Sequence, residues 1–485
     1  MPENTPQPNI LLITTDEQRY DTYGAEHANW PQPSNLARLR REGTTLTNAY
    51  SNSPLCQPCR YGWLTGLYGC QTERGARNGY DWPDDQPTMP QALQRQGYHT
   101  GIIGKLHAYT GATLEKYHMA ELEPHSQVWG FDTVYEGSGR GLWSFRCNQG
   151  RPGIKGSHYT EHLKEKGLYE KARQENMERG ESRSENGGRE PYRPGVLEVE
   201  DTLDGFMAQE MCEFVEGYDR EEPFFLHASF FGPHYPLDVP EKYFQLYSPD
   251  DMPVPRGLED SGEIRSWREN RAMYMGLMTL VDDQIGQLLE SLEKAGHLDD
   301  TVVLFTTDHG DMLGDHGHAR KICSYEGSCR TPILVRYPES VPADTMLSGL
   351  VESVDLTQTI LEIAGLDEEQ REEALPGSPG KSFWNYVREG GPDFRDSVYA
   401  ETGTAATGYG MRMVRAGDWK YTRTAGGGDL LFNLAKDPHE LSNLAENREE
   451  SERLSQMQGR LIDRMANVPR LPRQGRWFQP SESSS

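Results

Sequence analysis

The fold is decided by two apolar stretches that each end in aspartate: NILLITTD at residues 9–16 and TVVLFTTD at residues 301–308. Short continuous apolar runs of this kind are typical of strands buried in a parallel sheet. In parallel sheets, ligands bind at the carboxyl ends of the strands. We therefore expect Asp16 and Asp308 to lie at the same edge of one sheet, although they are far apart in the sequence.

Strands and helices alternate around these two stretches. Apolar runs at residues 98–103 and 223–230 predict further strands, and residues 274–292 repeat apolar side chains every three or four positions, as an amphipathic helix does. The alternation predicts an α/β fold in which a large, mostly parallel sheet is sandwiched by helices. Residues 150–200 are dominated by Glu, Arg, Gly and Ser, which predicts a loop-rich insertion.

The pattern of residue types along the sequence changes near residue 390. Short strand-like runs separated by Gly-rich turns follow, and they predict a smaller C-terminal subdomain built on an antiparallel sheet. We therefore divide the chain into a main α/β domain at residues 1–390 and an α+β subdomain with a tail at residues 391–485.

Composition excludes several classes of protein. The 49 Lys and Arg residues against 75 Asp and Glu residues give a net charge of -26, which argues against nucleic acid as a partner. No apolar run reaches the roughly 18 residues that a membrane helix needs. The first residues lack the basic and apolar segments of a secretion signal, so we expect a cytoplasmic protein, although a chain whose signal had been removed would look the same.

The segment from Cys56 to Gly66 is the most specific motif. It combines Cys-x-Pro-x-Arg at residues 56–60 with Leu-Thr-Gly at residues 64–66. Cys56 and Cys59 also form a Cys-x-x-Cys pair, which occurs in redox sites and in half of a zinc site. No second Cys-x-x-Cys completes a zinc site, and the thioredoxin-like context is missing. A buried structural thiol is the remaining alternative for Cys56.

Acidic and basic residues follow several predicted strands. Asp16 and Glu17 are adjacent carboxylates that repel each other unless a cation holds them. Asp308 and His309 offer one oxygen and one nitrogen ligand, and the two aspartates together favour a hard divalent cation. The basic candidates are Lys105, His107, His234 and Lys321. An anion pocket in so acidic a chain needs residues of this kind.

These motifs, in this order, resemble the type I sulfatases of the alkaline-phosphatase-like superfamily, and the resemblance covers nearly the whole chain. It implies that a formylglycine-generating maturation enzyme oxidises Cys56 to Cα-formylglycine, whose gem-diol form is the nucleophile. It also implies that residue 56, Asp16, Asp308 and His309 bind one divalent metal. Calcium is usual in the family.

Two departures from the family pattern concern the metal site. Many sulfatases have Asp at the position of Glu17 and Asn at that of His309. Glu17 is nevertheless expected to be a ligand. His309 resembles the phosphonate monoester hydrolases and the choline-sulfatase-like members, and nitrogen ligation leaves room for manganese instead of calcium. Magnesium is a further alternative.

The resemblance also implies a role for each remaining site residue. Arg60 would hold the modified residue, and Lys105 and Lys321 would clamp the sulfate. His234, alone or with Lys321, would protonate the leaving oxygen, and His107 would accept a proton in the second half of the reaction. Asn78 lies where related enzymes place a substrate contact.

The chain is accordingly predicted to hydrolyse an organic sulfate monoester to alcohol and inorganic sulfate. The substrate would be a small-molecule or saccharide sulfate ester, and a homo-oligomer is compatible with the sequence. One alternative is a phosphonate monoester or phosphodiester hydrolase with the same nucleophile, which His309 motivates. A more distant alternative is a non-catalytic, metal-stabilised binding protein on the same scaffold.

Overall fold

A computed structural model describes residues 7–23, 30, 33–72, 76–137, 139, 155–404, 409–426 and 428–469. The strands are β1 Asn9–Asp16, β2 Thr44–Tyr50, β3 His99–Gly104, β4 Thr133–Glu136, β5 Phe224–Pro233, β6 Thr301–Thr307, β7 Arg330–Arg336, β8 Thr345–Glu352, β9 Val398–Thr404, β10 Tyr409–Ala416, β11 Trp419–Thr424 and β12 Asp429–Asn433. They form two sheets.

Helices surround both sheets. Within the described residues they are α1 Ser34–Glu42, α2 Cys56–Thr65, α3 Met89–Arg95, α4 Gly111–Leu114, α5 Met119–Ser126, α6 His158–Glu165, α7 Tyr169–Glu185, α8 Leu203–Glu216, α9 Glu241–Phe244, α10 Ile264–Ala295, α11 Glu326–Cys329, α12 Asp355–Ile363, α13 Glu368–Ala374, α14 Trp384–Glu389 and α15 Ser451–Ala466. No helix within these described ranges has the length and hydrophobicity needed to span a membrane.

The larger sheet has eight strands in the order β4-β3-β5-β1-β6-β7-β2-β8. Every neighbouring pair is parallel except the two made by β7, which runs antiparallel to β6 and β2. Side chains of β1 alternate between the two faces: Leu11 and Ile13 enter one core cluster, while Ile10 and Leu12 enter the other. Helices cover both faces, so the predicted α/β sandwich is confirmed.

Strand β1 places its end beside the ends of two other strands. It pairs with β6 on one side, with Thr15 opposite Thr307, and with β5 on the other, with Asp16 opposite Pro233. Asp16, Asp308 and His234 therefore meet at one edge of the sheet. This is the edge at which the parallel arrangement predicted a site.

The smaller sheet is antiparallel, in the order β12-β11-β10-β9, as the sequence predicted. Helix α15 packs on it through Met457 and Leu461. A buried polar cluster connects the two sheets: Glu326 contacts Lys420 of β11 at 2.8 Å and accepts a hydrogen bond of 2.9 Å from the Tyr50 hydroxyl of β2. The division of the chain at residue 390 stays a prediction, and residues 470–485 of the predicted tail lie outside the described residues.

The prediction that residues 150–200 are rich in loops is wrong for the part of this segment that the structure describes. Helices α6 and α7 occupy most of residues 158–185. Helix α7 is held by buried charges, because Arg179 donates to Glu175 at 3.0 Å and lies 3.7 Å from Glu190. Its anchoring residues are polar, so the apolar periodicity that reveals most helices is absent here.

Candidate active site

Helix α2 begins at Cys56, and all of its residues are buried. The preceding residue provides no side-chain cap. Instead, the amide oxygen of Asn78 accepts a hydrogen bond of 3.0 Å from the backbone N–H of Gln57. The positive end of the helix dipole therefore faces the sulfur of Cys56, an arrangement that favours the thiolate.

The Cys56 sulfur lies among the side chains at the strand ends. It is 3.3 Å from Nε2 of His309 and 3.8 Å from Oδ1 of Asp16. Ligand atoms of Asp16, Cys56, Asp308 and His309 all lie within 4.8 Å of one another. The structure thus brings four of the five predicted metal ligands into one buried cluster. Cys59 is outside it, since its sulfur accepts a hydrogen bond from Ser51.

Glu17, the fifth predicted ligand, borders this cluster. Its backbone has a φ of 67°, and its N–H donates to Oδ1 of Asp308 at 3.1 Å. Its buried carboxylate oxygens each lie 3.3 Å from a side-chain nitrogen, Nζ of Lys321 for one and Nε2 of His234 for the other. A second group of possible ligands is formed by Asp16, Glu17 and His234.

The charges of these residues fit a bound divalent metal. Burial alone would lower the pKa of His309, but Asp308 and Cys56 outweigh it and raise this pKa to about 9. Burial and the charge of Glu17 also raise the pKa of the neighbouring Asp311 carboxyl well above its ordinary value. Burial opposes ionisation of Asp16 and Glu17, but the charges of Lys105 and Lys321 outweigh it and hold the pKa values of both carboxyls below their ordinary range. The site therefore keeps buried anionic oxygens, which a cation would neutralise. Carboxylate oxygens with one imidazole suit calcium, magnesium or manganese.

Arg60 fixes the two strand ends relative to helix α2. Its Nε donates to Oδ2 of Asp308 at 2.9 Å, and Nη1 donates to the Lys105 carbonyl oxygen and to Oγ of Ser229, both at 2.8 Å. Nη2 lies 3.4 Å from Oδ2 of Asp16. Because the guanidinium is buried and its donors are used, Arg60 is a rigid brace of the site.

Lys105 and Lys321 supply positive charge to the surroundings of Cys56. Lys105 contacts Asp16, and Nζ of Lys321 is 3.1 Å from the Cys56 sulfur. Burial opposes ionisation of the thiol, but the charges of Lys105 and Lys321 outweigh it and hold the pKa of Cys56 well below its ordinary value. Gly104, which precedes Lys105, allows β3 to pack closely against β5, because a Cβ there would lie 1.8 Å from the Ser229 carbonyl oxygen.

The two predicted proton carriers occupy different sides of the cluster. His107 has a φ of 66° and a side-chain hydrogen bond with Cys56, and burial lowers its pKa. Nδ1 of His107 has no hydrogen-bond partner among the described residues. His234 instead lies beside Glu17, with its Nδ1 2.7 Å from the Tyr235 carbonyl oxygen.

The chain is similar to known proteins over most of its length. A family model described as Sulfatase matches residues 8–366, about three quarters of the chain. The chain belongs to the sulfatase family. A second family model, described as N-sulphoglucosamine sulphohydrolase, C-terminal, matches residues 314–467. The prediction that the chain is an enzyme is confirmed at the level of this family, which weighs against a non-catalytic binding protein.

Individual relatives of this sulfatase-family chain are distant but of similar length. An arylsulfatase of Clostridium perfringens is 29% identical over 94% of this chain and 94% of its own length. A choline-sulfatase of Rhizobium meliloti is 26% identical over 91% of this chain and 83% of its own length. Among solved structures, a phosphonate monoester hydrolase of Agrobacterium radiobacter has a TM-score of 0.76 at 23% identity, covering 95% and 96% of the two chains. The structural likeness confirms the predicted fold.

Asn78 lies at the border of this sulfatase-family site. It is exposed, and its amide oxygen is used to cap helix α2. The structure therefore gives it a structural contact next to Cys56. A contact with substrate stays a prediction.

Glu136 is a residue of the site that sequence reasoning missed. It ends β4, is buried, and accepts a hydrogen bond of 3.0 Å from the backbone N–H of His107. Backbone N–H groups of Leu106 and Ala108 also interact with its carboxyl group. Glu136 thus stabilises the turn around His107, whose backbone has a positive φ. A lone acidic residue ending a short strand gives no sequence signal of this role.

We predict that Glu136 makes stability depend on pH. Burial raises its pKa from the ordinary 4.5 to about 8. The folded state therefore binds the proton more tightly, and stability is full below about pH 4.5 and falls as the pH rises to about 8. Relative to Glu136→Gln, the wild-type free energy of unfolding should fall by on the order of 1 kcal/mol per pH unit across this window.

Denaturant unfolding at several pH values between 5 and about 8 measures this difference. The exposed Glu290, changed to Gln, is the matched control and should run parallel to wild type. A constant difference between wild type and Glu136→Gln at every pH would show that Glu136 is ionised in both states.

Proposed function

We propose that this chain hydrolyses an organic sulfate monoester to an alcohol and inorganic sulfate, with Cys56 matured to formylglycine as the nucleophile. The observation that carries the proposal is the position of the Cys56 side chain. It lies between possible metal ligands, Asp16 and His309, and the cationic Lys321. A nucleophile that attacks an anionic ester needs both a metal ion and a nearby positive charge.

Two groups that the family implies fit the residues present. Formylglycine at position 56 would supply, as its hydrate, two hydroxyl groups on one carbon, one to attack sulfur and one to release the product. A divalent metal held by Asp16, Glu17, Asp308, His309 and residue 56 would lower the pKa of the attacking hydroxyl and neutralise an anionic oxygen. Calcium is the proposed ion, with manganese or magnesium as alternatives.

The chain's own cations bind and orient the sulfate group. Lys321 contacts the Cys56 sulfur, Lys105 contacts Asp16, and both charges act on position 56, so a sulfo group approaching that position meets positive charge. Because these ammonium groups are buried, their attraction for the developing negative charge is stronger than in water. Arg60 contacts Asp16 and Asp308 and acts by keeping their carboxylates in place.

Two histidines move protons in the proposed reaction. His234 has a partly exposed side chain on the Glu17 side, where it can protonate the leaving alcohol oxygen, alone or with Lys321. His107 contacts Cys56 and has a lowered pKa, so its neutral imidazole can accept a proton from residue 56. Burial is the main cause of that lowered pKa.

Sulfate esters should be preferred to phosphonate monoesters. The groups around the Cys56 sulfur are charged or polar, so the three oxygens of a sulfo group can all find partners, whereas the carbon substituent of a phosphonate cannot. We expect kcat/KM for 4-nitrophenyl sulfate to exceed that for 4-nitrophenyl phenylphosphonate by at least about tenfold. The measurement uses protein made with a formylglycine-generating enzyme, with Cys56→Ala as background. A reversed preference would contradict the sulfatase assignment.

A phosphonate monoester or phosphodiester hydrolase is the second candidate. His309 favours it, because its Nε2 lies within the metal-capable cluster and brings a nitrogen ligand to an otherwise oxygen-rich site. The same pair of substrates decides between the two candidates. A small-molecule or saccharide ester remains the proposed substrate class, and a homo-oligomer and a cytoplasmic location stay predictions from the sequence.

A further inference from the structure

Two arginines from separate parts of the chain converge on one buried ring beside the site. Arg183 comes from helix α7, and Arg320 immediately precedes Lys321. The guanidinium carbon of each lies 5.3 Å from the centroid of the Tyr235 ring. Tyr235 follows His234, is buried, and has a hydroxyl group without a hydrogen-bond partner among the described residues.

Among the described residues, only one of the two guanidinium groups has a carboxylate partner. Arg183 pairs with Glu190 at 2.9 Å, but Glu190 is also shared with Arg179. Arg320 is only partly buried, and across the described ranges its guanidinium forms no ion pair and no hydrogen bond. After burial, the charge of Arg320 is the largest cause of the lowered pKa of Arg183, which places the two cations within electrostatic range of each other.

Arg320 differs from other described arginines without an ion pair, such as the exposed Arg95, because it lies against the same aromatic ring as a second arginine. Two like charges held near each other also repel, which costs stability unless an anion joins them. The arrangement is therefore suited to an anion that comes from outside the chain.

The arginine pair lies on the leaving-group side of the site. Tyr235, whose ring both guanidinium groups contact, follows His234, and its carbonyl oxygen lies 2.7 Å from Nδ1 of His234. Glu17 also contacts His234, the residue proposed to protonate the leaving alcohol. A group bound by the pair would thus belong to the alcohol part of the substrate.

We propose that Arg183 and Arg320 form a second anion subsite, which binds a carboxylate or sulfate group on the alcohol part of the sulfate ester. This inference rests on the proposed function and adds a substrate class to it: esters that carry a second negative charge. The planar guanidinium fork matches the paired oxygens of either anion. The Tyr235 ring supports both cations from one side chain.

Binding to a protein that cannot turn over tests the subsite. The protein is Cys56→Ala with added calcium, and the probes are phenyl sulfate, 3-carboxyphenyl sulfate and benzene-1,3-diyl disulfate. Calorimetry should give at least about tenfold tighter binding of one or both dianionic probes than of phenyl sulfate, a ratio that one charge-assisted hydrogen bond can supply. The tighter of the two identifies the second anion as carboxylate or sulfate.

Variants of Arg320 assign the preference to this residue. Arg320→Gln should bring the ratio of dianion to monoanion affinity to within about twofold of unity, and Arg320→Lys should retain part of it. Arg265, an exposed arginine paired with Asp250, is the charge-matched control, and Arg265→Gln should keep the full ratio. Equal binding of all three probes, or equal losses in Arg320→Gln and Arg265→Gln, would overturn the subsite.

The proposed anion subsite and the proposed sulfatase reaction can each be contradicted without the other. Hydrolysis of the same esters by the matured protein is measured in parallel. A dianion preference in binding without any hydrolysis would support the subsite and contradict the proposed sulfatase reaction. Hydrolysis of phenyl sulfate with no dianion preference in binding would support the reaction and overturn the subsite.

Discussion

Replacing Cys56 by Ser should convert a turning-over enzyme into one that reacts once. A serine hydroxyl can attack sulfur and displace the alcohol, but it has no second hydroxyl to expel sulfate. We expect one equivalent of alcohol in a burst, a protein mass increase of about 80 Da for the serine O-sulfate, and a steady-state kcat at least about 10⁴-fold below that of the matured protein. Cys56→Ala should show neither burst nor turnover.

The neighbouring cysteine is the control for this experiment. Cys59 is buried in the same helix but faces Ser51 rather than the metal-capable cluster. Cys59→Ala should therefore keep kcat within a few-fold of the parent protein. Full steady-state turnover by Cys56→Ser would show that position 56 does not need formylglycine chemistry, and full turnover by Cys56→Ala would remove it as the nucleophile.

Removing the charge of Asp308 should abolish both activity and the response to calcium. Asp308 is fully buried and accepts hydrogen bonds from Arg60 and from the backbone of Glu17 and His309. In Asp308→Asn a carboxylate ligand is lost, and an amide NH₂ group, which cannot accept hydrogen bonds, replaces one of the oxygens that face these donors. We expect kcat/KM to fall by at least about 10³-fold, roughly 4 kcal/mol in transition-state stabilisation.

Thermal and denaturant unfolding separate loss of the metal from misfolding. Calcium at 100 times its dissociation constant should stabilise the parent protein by about 2.7 kcal/mol, and Asp308→Asn should show little of this gain. Asp260→Asn, a change at an exposed aspartate, should respond to calcium as the parent does. If Asp308→Asn unfolds cooperatively and gains the full calcium stabilisation, Asp308 is not a ligand.

Much of the fold could be predicted because its strands are apolar and its helices amphipathic. The runs that became β1 and β6 end at Asp16 and Asp308, and parallel pairing alone predicts that these residues meet. Lys105 and His234 follow β3 and the paired part of β5 and could be placed at the same edge for the same reason. Their individual roles came from resemblance and stay predictions.

The residues that could not be predicted are those whose importance comes from burial. Helix α7 is anchored by Arg179 and two glutamates, so its sequence is typical of an exposed loop. Glu136 gives no sign in the sequence that it receives backbone N–H groups from a distant turn. Arg320 is one more surface arginine until the fold places Arg183 and Tyr235 beside it.

The most direct test of the account is the mass of the tryptic peptide of residues 42–60 from protein produced with a formylglycine-generating enzyme. Conversion of cysteine to formylglycine replaces sulfur and two hydrogens by one oxygen and lowers the mass by about 18 Da. The same peptide contains Cys59, so fragmentation provides an internal control. We predict that the loss maps to residue 56 and that Cys59 remains a thiol. An unmodified thiol at residue 56 in protein that still hydrolyses sulfate esters would contradict the formylglycine nucleophile.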